Sequence, residues 1–92
     1  MLTRQELAEM RELVTRVQKG SVSRREWSTL AALTLIWQGD AVVTQMAAEG
    51  FDHFVAVCQP VYQGHAFKRD DYQRMYERVC AAAARTIRDR VH

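Results

Sequence analysis

The chain has 92 residues, 48 % hydrophobic and 26 % charged, a balance that suits one folded domain and excludes a disordered segment. Its net charge of +2 is too small to imply a polyanion partner. Two cysteines, Cys58 and Cys80, are too few for a disulfide framework, so reduced thiols in a cytoplasmic setting are expected.

The opening stretch MLTRQELAEM carries charges where a signal peptide needs an apolar run. Within it, Leu2, Thr3, Glu6 and Leu7 have the spacing of a capping box with a hydrophobic staple. The first helix is therefore predicted over about 4–19. Leu7, Met10, Leu13, Val14 and Val17 share its inner face, away from Arg4, Glu9, Glu12 and Arg16. Glu12 and Arg16 are spaced as an i,i+4 pair.

Val22, Ser23, Glu26 and Trp27 repeat the start signal and open a second helix over about 24–38. Trp27, Leu30, Ala31, Leu33, Leu35, Ile36 and Trp37 go all the way round it. A helix apolar on every side is either central to its domain or shared with another chain. Full enclosure is hard to build at this length, so part of the helix is expected to meet a second chain. The apolar run Leu30–Trp37 falls far short of the ~20 residues that span a bilayer, so no membrane partner is expected.

Gly39 and Asp40 then mark a stop and a cap, and a third helix follows over about 41–49. Gly50 and Asp52 do the same for a fourth over about 53–63, which Pro60 is expected to kink or split. All four glycines, Gly20, Gly39, Gly50 and Gly64, are read as left-handed helix stops. The last start, FKRDDY, has Lys68 in the cap slot, so Asp70 is the expected cap, shifting that start by two residues. A fifth helix runs over about 69–90, with Tyr72, Met75, Tyr76, Val79, Ala83 and Ile87 inward. Ala81–Ala84 leave it thin enough for a close helix neighbour. The fold expected is an all-α compact bundle of five short helices, a single domain over 1–92, with long terminal helices around a hydrophobic central one.

From Trp27 to Phe67 there is no Lys or Arg, while both ends are Arg-rich. The segment Trp37–Glu49 has a helix-turn-helix outline, but its second helix offers Thr44 and Gln45 to bases and nothing to phosphates. Arg74, Arg78, Arg85 and Arg88 fall within an arc of about 80° on the fifth helix. Asp70–Arg74 and Arg85–Asp89 spacings suggest a self-paired, solvated face; an acidic protein or nucleic acid is the alternative occupant. His53, Cys58, His65 and Cys80 lack metal-ligand spacing, and neither an oxyanion hole nor a glycine-rich loop accompanies them. No metal, cofactor or catalysis is expected.

The resulting expectation is a small non-enzymatic protein-binding regulator, of the inhibitor, adaptor or antitoxin-like kind that phages and plasmids encode. Its partner surface would comprise Trp37, Val43, Met46, Phe51, Phe54 and Tyr62, rimmed by Arg74, Arg78, Arg85 and Arg88. The same surface could close a homodimer, which is expected. The alternative is a dimeric nucleic-acid-binding regulator that uses the Arg stripe.

Overall fold

Both predicted capping boxes are closed. Thr3 Oγ1 accepts the Glu6 N–H at 3.1 Å, and the Glu6 carboxylate accepts the Thr3 N–H at 2.9 Å. Ser23 and Glu26 make the same reciprocal pair at 3.2 and 3.1 Å, and the Ser23 N–H holds the Glu26 carboxyl below its usual range. The helices these boxes open are α1 (Arg4–Gln18) and α2 (Arg24–Trp37) in the computed structural model, which describes residues 1–91. They are followed by α3 (Asp40–Glu49), α4 (Phe51–Tyr62), a 3-10 turn (Gln63–His65) and α5 (Arg69–Val91). The chain is thus the expected all-α bundle.

The later helix starts depart from the expected chemistry. Gly39 and Gly50, with φ of 121° and 96°, are themselves the residues before α3 and α4. The backbone there is one that L side chains rarely adopt, so glycine is required. Asp40 and Asp52 therefore fall inside the first turn, where a carboxylate favours the helix dipole without capping it. Asp40 instead lies 2.6 Å from the Met1 amine. Nor does α5 shift its start to Asp70: it begins at Arg69, and the Asp71 carboxylate accepts the Lys68 N–H at 2.8 Å. Lys68 cannot cap with its own side chain, so only the carboxylate half of a capping box forms.

Pro60 does not split α4. It sits two residues from the end, so little helix follows it, and the chain tightens into the 3-10 turn. Gly64 is not a left-handed stop; Ala66 takes that conformation two residues later, at φ 54°.

α2 is the central helix. α5 packs along α2 and α3, α1 covers another side of α2, and α4 closes on α3 and α5. The main core joins Ala32, Ile36, Val43, Phe54, Met75 and Val79. A satellite cluster of Met10, Leu13 and Leu33 holds α1 to α2. The small Ala82 and Ala83 side chains are buried where α5 meets its neighbours, as the alanine run suggests. Tyr76 adds a directional tie by donating to the Ala47 carbonyl at 2.8 Å. Every apolar residue of α2 is thus at least half-buried within one chain, except the last, Trp37. Among the described residues no helix is long and apolar enough to cross a membrane.

Candidate functional site

The expected partner surface comes apart in the fold. Val43 and Phe54, at 0 % and 1 % exposure, are core residues and offer nothing to a partner. Val43 faces α5 and α2, and the Phe54 ring packs 5.3 Å from the Tyr76 ring. Met46, Phe51 and Tyr62 lean on the same core and stay half-buried. Only Trp37 is truly open, at 67 %.

Trp37 has different companions from those expected. With Leu7, Met10, Arg11, Val14 and Thr15 it lines a groove of about 450 Å³ between α1 and the end of α2. Leu7 and Val14 are 37 % and 41 % exposed, whereas Met10 and Leu13 on the adjoining faces are buried. The reason is angular. Leu7 and Leu13 lie about 120° apart round α1, and α2 covers only the Leu13 side. The apolar face read from the sequence is therefore wider than the neighbour that covers it. Leu7, Met10 and Val14 stand three and four residues apart, the spacing of a helix-packing seam. That spacing was the available signal for these residues.

The Arg stripe of α5 is spent inside the chain. Arg78 reaches Glu9 of α1 at 2.6 Å, and Arg85 reaches Glu6 at 2.9 Å. Arg74 pairs with Asp70 at 3.4 Å, as its spacing predicts, and also with Asp71. Arg85 therefore turns to α1 instead of Asp89, and Arg16 crosses to Glu26 on α2 instead of pairing along its own helix with Glu12. Arg88 stays exposed. A cleft of about 600 Å³ is lined by Glu9, Arg16, Glu26, Arg74 and Arg78 among others, charges that largely neutralise one another.

The remaining chemistry-bearing residues are also occupied. Burial pushes the Cys58 thiol up to about 11, so it stays protonated and is a poor nucleophile near neutral pH. His53 lies 2.9 Å from Glu49, and His65 stacks on Phe67 with ring centroids 5.4 Å apart and lies tilted against Trp27 at 4.7 Å. Among the described residues no group of three His, Cys, Asp or Glu side chains could hold a metal ion. On the helix-turn-helix outline, Thr44 Oγ1 is buried and Gln45 bonds to Glu49 at 3.3 Å, so neither stands free to read a base. Compared with known protein families, curated proteins and solved structures, the chain matches none.

Proposed function

We propose that the protein is a small non-enzymatic regulator that binds another protein in the cytoplasm, as an inhibitor, adaptor or antitoxin-like partner. Its docking face is the groove of Leu7, Met10, Val14 and Trp37. The observation that supports this reading is the convergence of three exposed large apolar side chains, Leu7, Val14 and Trp37, on one groove. Single exposed apolar residues are ordinary on protein surfaces; a contiguous set with a tryptophan at its edge has the composition of a binding hot spot. The nucleic-acid alternative loses its support, because Arg74, Arg78 and Arg85 already face carboxylates.

Photocrosslinking in the native host tests this. A photoreactive phenylalanine analogue replaces Val14 in one variant and Val57, an exposed apolar residue of α4, in another. The expected result is one discrete adduct with a different protein from position 14, lost when Trp37→Asp is added. An adduct from position 57 alone, or none from either position, contradicts the proposal.

A further inference from the structure

The geometry points to an acidic amphipathic helix as the occupant of this groove. The inference rests on the docking face proposed above and adds the chemistry of the partner.

Three features carry it. First, the residues lining the groove include a basic side chain, Arg11, and no acidic one. Second, the charges of α1 divide by face. Glu6, Glu9 and Arg16 point towards α5 and α2, and each has an ion-pair partner there. Arg4 and Arg11 lie on the groove side, both exposed, and among the described residues neither has an ion-pair partner. They stand two turns apart, interleaved with Leu7 and Val14. The strip is thus apolar along its length and positive beside it. Third, the seam has the three-and-four spacing into which the side chains of a second helix interdigitate. A partner helix with apolar residues at i, i+3 or i+4 and i+7 would lay that row on Leu7, Val14 and Trp37. Asp or Glu beside the row would meet Arg4 and Arg11.

A second copy fits less well. Pairing α1 with its twin about a twofold axis brings the two Arg11 side chains together at the middle of the seam, and like charges there oppose association.

The test uses the full chain and a fluorescent synthetic helix of about 18 residues, or five turns. One peptide carries leucine at its a and d heptad positions with glutamate on either side; the other has lysine in place of every glutamate. Binding is read by fluorescence anisotropy. The glutamate peptide is expected to bind at least about tenfold more tightly at low salt, with the preference collapsing near about 0.5 M salt. Arg11→Glu abolishes the preference, because Arg4 and the new carboxylate then cancel, and Trp37→Ala weakens both peptides. All substituted positions are exposed, and circular dichroism checks that each variant keeps its helices. Equal binding of both peptides, still dependent on Trp37, overturns the acidic partner and leaves the groove standing. No binding of either peptide, or binding indifferent to Trp37→Ala and Val14→Asp, overturns the docking face itself.

Discussion

At Asp71 the chain places a carboxylate at 0 % exposure and surrounds it with one backbone N–H and two guanidinium groups. It accepts the Lys68 N–H at 2.8 Å, pairs with Arg74, and lies 2.9 Å from Arg24 Nε. The Arg24 approach is an ion pair without hydrogen-bond alignment. One side chain thus starts α5 and pins the first turn of α2 to it. Removing one partner of a buried pair costs more than the pair itself contributes, because the remaining charges stay desolvated. Asp71→Asn is expected to lower stability by about 2–3 kcal/mol in urea unfolding, discounted because both arginines are about one-third exposed. A loss under about 0.5 kcal/mol, the level of an exposed pair, would remove this role.

Cys58 makes stability depend on pH. Its raised folded-state value, about 11, means that near pH 8 only about one molecule in a thousand holds the thiolate. Cys80, half-buried, is expected to react with a thiol reagent well before Cys58 in the native protein. The unfolded chain loses this proton near the ordinary value of 9.0, the folded chain only near 11. The stabilising contribution is therefore complete below about pH 9 and is lost as pH rises towards 11. Urea titrations of the wild type and Cys58→Ala across that window check the slope, which the variant should reduce.

At the scale of elements, α1 is the least secured helix. Its apolar contact is the satellite cluster of Met10, Leu13 and Leu33, and its ties to α5 are the Glu6–Arg85 and Glu9–Arg78 pairs. Partly exposed pairs of this kind contribute about 0.2–1 kcal/mol each and weaken in salt. Hydrogen exchange is expected to show amides of α1 opening before those in the middle of α5, and faster still in Arg78→Ala. Equal protection of the two helices would contradict this ranking. The element starts and stops were the most legible features of the sequence, because capping boxes and glycine stops are local chemistry. Legibility failed where glycine itself preceded a helix, as at Gly39 and Gly50, since φ is not written in composition. The angular position of Arg74, Arg78 and Arg85 was also legible. That α1 lies over that stripe was not, since it depends on Glu9 and Glu6 arriving from 69 and 79 residues away.

At the scale of the whole molecule, thinness matters. The bundle extends 42 × 29 × 17 Å, about two helix layers deep at its thinnest. Such a slab can enclose one helix, α2, and not every apolar face around it. This is why exposure was only partly readable. Trp37 ends an apolar run and is open, while Val43 and Phe54 look the same in sequence and are buried. Leu7 and Val14 were assigned to the inner face of α1, because the width of an apolar face can be read from spacing but the width of its covering cannot.

The Leu7–Val14–Trp37 face is open on the lone chain, and the proposed occupant is a different protein. Light scattering over a concentration series, at low salt and at about 0.5 M salt, tests it most directly. The prediction is the mass of one chain, 10.6 kDa, at every concentration and in both salts. A salt-insensitive dimer that Val14→Asp returns to single chains would contradict it, because the face would then be covered by a second copy of the protein itself.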